Sequence, residues 1–208
     1  SLRVSLAFVL ALALPTLAHA DDAADVFQAK HGTILELVEQ NASDAKLGKQ
    51  LDAMIDYHAL AEASLGGADN YAKVCGKRCA EFEALLTQLV RESYLRMVRK
   101  ANQYPVEYVG AVEGKGGAHK ITTKMVVERN GRQRKITVEY VLHQVGGHWQ
   151  IRDIITDDVS LVKTYRHDFH KIAKQDGIDG VIERLEQRLA AGGGQADAVE
   201  GFIHNDGL

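Results

Sequence analysis

The sequence predicts an α+β domain, a four-stranded antiparallel meander covered on one face by helices. Three observations carry this. Apolar residues recur at three- and four-residue intervals before Pro105 and at alternate positions after Val106. Asn130-Gly131 and Gly146-Gly147 interrupt the alternating stretch as hairpin turns do. Two more amphipathic segments, Leu161 to Lys174 and Gly180 to Ala191, follow the last strand.

The N-terminal segment reads as a signal peptide over residues 1–20. Arg3 gives it a positive start, Val4 to Leu14 an apolar core, and Ala18-His19-Ala20 small residues at the peptidase positions, with cleavage expected before Asp21. Spanning a bilayer needs roughly 20 apolar residues, and this run is shorter. No cysteine follows the cleavage point, so a lipid anchor is not expected. What remains is 188 residues, enough for one soluble domain over residues 21–191, with a flexible tail over 192–208 that opens on Gly192-Gly193-Gly194. Without Arg3 the chain carries 24 basic and 28 acidic side chains. That mildly acidic balance excludes nucleic acid as the partner, because phosphate contacts need a basic surface.

In the helical half, Phe27, Ile34, Leu35 and Val38 share one spacing, and Leu47, Leu51, Met54 and Ile55 another. The strongest helix runs from Glu81 to Lys100. Its apolar face holds Phe82, Leu85, Leu86, Leu89, Val90, Tyr94, Met97 and Val98, and Glu, Arg and Lys lie opposite. Cys75 and Cys79 precede it, one helical turn apart. Export would place them where disulfides persist, and Gly76 would help the bridge close. A local disulfide and two free thiols both fit that spacing; zinc would need further ligands.

Strands are expected over Val106 to Val112, Lys120 to Arg129, Lys135 to Leu142 and Trp149 to Ile155. In the third, Ile136, Val138, Tyr140 and Leu142 share a face, with Lys135, Thr137 and Glu139 on the other. Ile121, Met125 and Val127 extend the apolar face on the second strand, as do Trp149 and Ile151 on the fourth. One side of the sheet is thus built to be covered. Ser160 is placed to cap the next helix, whose Leu161, Tyr165, Phe169 and Ile172 fall on one stripe. Asp176-Gly177 closes it, and Asp179 caps a second helix with Val181, Ile182, Leu185 and Leu189 inside.

Residues suited to chemistry are present, but their pattern is weak. His167 and His170 lie three apart on a helix, yet they flank the buried stripe among Arg166, Asp168 and Lys171, as a solvated face does. His143 and His148 bracket a hairpin, and His119 sits at a strand start. Asp56, Asp153, Asp157 and Asp158 are the carboxylates available as acids or bases. Gly114, Gly116 and Gly117 fit a turn better than a phosphate loop. No Gly-x-Ser-x-Gly or His-Glu-x-x-His motif occurs. The expectation is no catalytic residue, no metal and no cofactor.

The run from Trp149 to Leu185 resembles the signature of the MlaC family of periplasmic phospholipid carriers, also called the toluene-tolerance family. It reads Trp149-Gln-Ile-Arg-Asp153-Ile-Ile, Val159-Ser-Leu-Val162, Tyr165-Arg166, Phe169, Gly177-Ile178-Asp179-Gly180 and Val181-Ile182 before Leu185. Weaker likeness reaches upstream through Tyr94, Phe82 and Leu65-Gly66 to Asp56. Two departures stand out: Asp158 replaces a frequent Gly, and the Cys75 to Cys79 stretch replaces a Gln and aromatic pattern.

The resemblance implies a fold like that of nuclear transport factor, with a curved sheet and helices enclosing an apolar cavity for lipid tails. It also implies passage of phospholipid, or of hopanoid as in one relative, between an outer-membrane lipoprotein complex and an inner-membrane ABC transporter. From the patterned faces, the residues expected to meet lipid are Leu86, Val90, Tyr94, Ile121, Met125, Val138, Tyr140, Trp149, Ile151, Val162, Tyr165 and Phe169. Periodicity fits a filled core equally well. Two other classes fit the same pattern: an enzyme acting on a small apolar substrate, with Asp153 or a histidine facing the cavity, and an adhesion module with a solid interior.

Overall fold

A computed structural model describes residues 22–129 and 132–192. The signal-peptide segment, the Asn130-Gly131 turn and the tail beyond Gly192 lie outside the described residues. Helices α1 (Ala23–Glu39), α2 (Asp44–Asp52), α3 (Tyr57–Ser64), α4 (Ala68–Cys75) and α5 (Cys79–Ala101) come first. Strands β1 (Val106–Glu113), β2 (His119–Arg129), β3 (Arg132–Val145), β4 (His148–Thr156) and β5 (Val159–Ser160) follow, and α6 (Leu161–Ala190) closes the domain. The α+β class and the meander stand as expected, with the two-residue β5 added at one edge.

Local chemistry sets the boundaries. The Asp22, Ser43, Asp56 and Ser160 side chains accept from backbone N–H groups in the first turns of α1, α2, α3 and α6. The two helices expected after the sheet are one element broken at Gly177, whose φ of 66° and ψ of −161° are open essentially to glycine alone. The cysteines form a disulfide with Cα atoms 4.7 Å apart, which settles the open alternatives of the sequence.

The sheet runs in the order β1-β2-β3-β4-β5, antiparallel throughout. Its register stacks inward rows across three strands. Ile121 pairs Tyr140, which pairs Ile154; Thr123 pairs Val138, which pairs Thr156; Met125 pairs Ile136. A bulge between Val141 and Leu142 leaves Arg152 unmatched on β4. Strict alternation from Ile151 would turn Asp153 and Ile155 inward. The extra residue instead buries Ile151, Ile154 and Thr156.

Edges are treated differently. β4 is covered at one end by β5 and at the other by the chain between α2 and α3, where Ile151 and Met54 share a 2.7 Å hydrogen bond and Asp56 and Ile151 another of 2.9 Å. β1 keeps an open edge, with Tyr108, Val109 and Val112 exposed. The core lies between the inward sheet face and the helices, where α5 and α3 pack on α6, and α1, α3 and α6 reach β4.

Candidate functional site

The twelve residues expected to meet lipid converge. Leu86, Val90, Tyr94, Ile121, Val138, Tyr140, Ile151, Tyr165 and Phe169 are buried in one apolar cluster, and Met125, Trp149 and Val162 pack half-buried against it. Two aromatic groups organise that interior. At the α1 end, Phe27 lies 4.6 Å from Tyr140 and stacks on His31 at 5.1 Å between ring centroids. At the α5–α6 end, Phe169 stacks on Tyr165 at 5.3 Å and meets Phe82 edge-on at 5.7 Å. The Arg188 guanidinium lies over the Tyr165 ring at 5.4 Å.

Few polar groups enter this volume. Thr123 donates to the Val138 carbonyl at 3.1 Å. The hydroxyls of Tyr94 and Tyr140 face each other, and that of Thr156 is buried without a hydrogen-bond partner. Burial pushes Tyr94 well above the ordinary tyrosine range and Tyr140 up to about 12, so both stay neutral. Burial also lowers His31 to about 4, so its ring is an uncharged packing group near neutral pH.

The sequence pattern puts Phe27 and Phe82 on apolar faces without assigning them to this site, and it does not mark His31, Thr123, Ile154 and Thr156 as inward. Phe27 and His31 are four apart on α1, a spacing that would have paired them. Ile154 and Thr156 had no such signal, because the bulge at Arg152 reverses the alternation.

Three of the four carboxylates named as potential acids or bases hold the fold. Asp153 accepts from Ser160 Oγ at 2.6 Å and from the backbone N–H groups of Ile154 at 2.9 Å and Val162 at 3.1 Å. It thereby fastens β4 to the start of α6, and burial raises its pKa against those hydrogen bonds. Asp56 accepts from Ala59 N at 3.1 Å and pairs with Arg152 at 2.9 Å. Asp157 accepts from Thr137 N at 2.8 Å and faces Arg134 at 3.5 Å. Asp158 is exposed, with φ at 70°, in the two-residue turn between β4 and β5. A glycine would take that conformation without strain, which is the physical content of this departure from the family pattern.

The histidines are dispersed. His119 meets the Trp149 ring at 4.6 Å, His143 is half-buried with its pKa lowered chiefly by burial, and His148 and His167 are exposed. Among the described residues no three His, Cys, Asp or Glu side chains converge as a metal site would require.

A cavity of 150 Å³ opens beside this cluster, between α3–α4 and α6. Leu65, Val74, Phe169 and Ala173 form its apolar wall, and Asn70, Arg166 and His170 are its polar lining. Of the twelve expected residues only Phe169 borders it. The volume suits a benzene-sized group and is well short of the ~300 Å³ at which small-molecule pockets begin.

An antiparallel sheet covered on one face by helices, with an apolar interior between them, is an α+β domain. The sequence pattern of the MlaC protein family matches residues 24–187, and the chain belongs to that family. Its fold is shared with a solved structure, a phospholipid-binding protein from Ralstonia solanacearum in complex with a phospholipid. The two are 15% identical, with a TM-score of 0.66, over 83% of this chain and 99% of that one. No curated protein matches the sequence. Among the described residues no helix is long and apolar enough to cross a membrane.

Proposed function

We propose that the protein is a periplasmic lipid carrier. It holds acyl tails in the interior between sheet and helices, and passes lipid between an outer-membrane lipoprotein complex and an inner-membrane ABC transporter. The observation that carries this reading is the family match across residues 24–187. The phospholipid bound to the structural relative from Ralstonia solanacearum supports it, as does an interior formed by contiguous apolar side chains. Export with removal of residues 1–20 belongs to the same reading, since the N-terminal pattern is that of a signal peptide.

Each methylene hidden from water is worth about 0.8 kcal/mol, so a lipid cannot cross the periplasm unshielded. Tails in a bilayer are already dry, and moving them into a dry pocket gains little. Loading therefore depends on docking to the partner that offers the lipid, and direction is set by the partners. The commitment of Asp56, Asp153 and Asp157 to caps and ion pairs supports action by binding.

Native mass spectrometry of the protein purified from the periplasm, with organic extraction, tests the reading. A stoichiometric phospholipid is expected, and a hopanoid would keep the carrier while changing its cargo. An empty protein that takes up no lipid even with its transporter partner present would overturn it, as would lipase or ATPase activity of the isolated chain.

A further inference from the structure

α4 is held unequally at its two ends. Its C-terminal end is fastened by the Cys75–Cys79 disulfide, and at mid-helix the Tyr71 hydroxyl lies 3.2 Å from the Cys79 carbonyl and 3.0 Å from Glu83 Oε2. Its N-terminal end follows Gly66-Gly67, both at positive φ (95° and 102°), and carries no side-chain cap. A short helix fixed at one end and joined to α3 by two glycines can swing about its fixed end. The surface it would uncover is the wall of the 150 Å³ cavity, where Val74 faces Phe169 and Ala173 on α6.

The cavity also has a charge pattern. Arg166 and His170, one turn apart on α6, stand in its lining, and no carboxylate does. Arg166 makes no hydrogen bond or ion pair among the described residues, whereas Arg78, Arg91, Arg99 and Arg152 each pair with a carboxylate. A free guanidinium beside an apolar cavity leading to Phe169 matches an anionic amphiphile, with the anion on the cation and the tail beneath it.

Resting on the carrier reading, we propose that the crevice between α3–α4 and α6 is the portal for an anionic lipid. Arg166 holds the phosphodiester, and α4 swings aside as the tail passes Val74 and Ala173 toward Phe169. The portal lies at the edge of the twelve-residue interior and shares Phe169 with it, so the tail passes from one to the other without crossing water.

Water-soluble short-chain lipids test this without a membrane partner. Calorimetry would compare dihexanoylphosphatidylglycerol with dihexanoylglycerol, which has the same tails and no phosphate. Arg166→Gln should weaken the anionic lipid about tenfold, the loss of one charge-assisted contact, and leave the neutral lipid unchanged. Val74→Trp and Ala173→Leu, which fill the crevice from either side, should weaken both lipids while the melting transition is retained. Unchanged binding of the anionic lipid in Arg166→Gln would overturn the portal, as would equal weakening of both lipids or undiminished binding in both crevice-filling variants. Glycerol 3-phosphate bound as tightly as the lipid would show a free-phosphate site instead. If the wild-type protein binds neither lipid, the carrier reading itself fails. If it binds both and no variant matters, only the portal does.

Discussion

His31 shows how far a single residue's environment can move its chemistry. It stacks on Phe27, lies 5.8 Å from Tyr140, and burial lowers its pKa from 6.5 to about 4. The folded protein therefore prefers the neutral ring, and the unfolded chain takes up the proton first. Its contribution to stability is fully present above pH 6.5 and is lost as the pH falls toward about 4. A shift of that size corresponds to about 3 kcal/mol. His31→Phe keeps a flat ring against Phe27 and removes the titration. Urea unfolding at pH 6.5 and pH 5 should show a smaller drop in the variant than in the wild type. Equal drops would mean that His31 titrates alike in the folded and unfolded chain.

At the scale of elements, the joints between helices and strands carry the information that periodicity does not. The β4–β5 turn places Asp157 at φ 44° and Asp158 at φ 70°, a left-handed pair that suits Asn and Gly best. Asp157 earns its place through Thr137 N, but Asp158 is exposed, so Asp158→Gly should raise stability by about 0.5–1 kcal/mol. A lower urea midpoint in that variant would show that Asp158 makes a stabilising contact. The disulfide closes a loop of only a few residues at the α4–α5 joint. Replacing both cysteines with serine should cost about 2 kcal/mol in denaturant unfolding; no loss would mean that the joint is held by Tyr71 alone. Long elements were legible in the sequence: α5, β2, β3 and β4 stand close to their expected bounds because each repeats its period several times. α3 and α4, with eight residues each, are too short to establish a period. The cavity they frame with α6 therefore leaves no trace in the periodicity, and Leu65-Gly66 at their junction stands in the sequence only as part of the family likeness. Trp149 and Ile151 on β4 pack against the core as expected, but the inward turn of Ile154 and Thr156 has no signal in the alternation, since one unmatched residue at Arg152 is enough to exchange the faces.

For the whole molecule, what matters is the difference between an interior that is filled and one that can be. The twelve residues expected to meet lipid lie packed against one another and against Phe27 and Phe82, and the cavity of 150 Å³ holds far less than a two-tailed lipid. The sequence specified most of the apolar side chains that face inward. It did not specify how closely sheet and helices approach, because the same apolar pattern serves a closed core and an open one. Close packing resists small local expansion, so making room requires elements to move as units. α4 has no side-chain cap at its N-terminal end and joins α3 through two glycines at positive φ, and α1, α5 and the inner strands hold the rest of the core together. Loading should therefore change amide exchange unevenly. Lipid bound to the folded state alone raises its stability by mass action, which slows exchange everywhere that opens by global unfolding. In the region that opens locally, α3 to α4 and the first turns of α6, protection should rise further still, because a bound tail holds the crevice in one state. Comparing hydrogen exchange of delipidated and lipid-loaded protein measures both effects. A uniform slowing with no excess at α3–α4 would place the opening elsewhere, and no slowing at all would mean that the lipid does not reach the core.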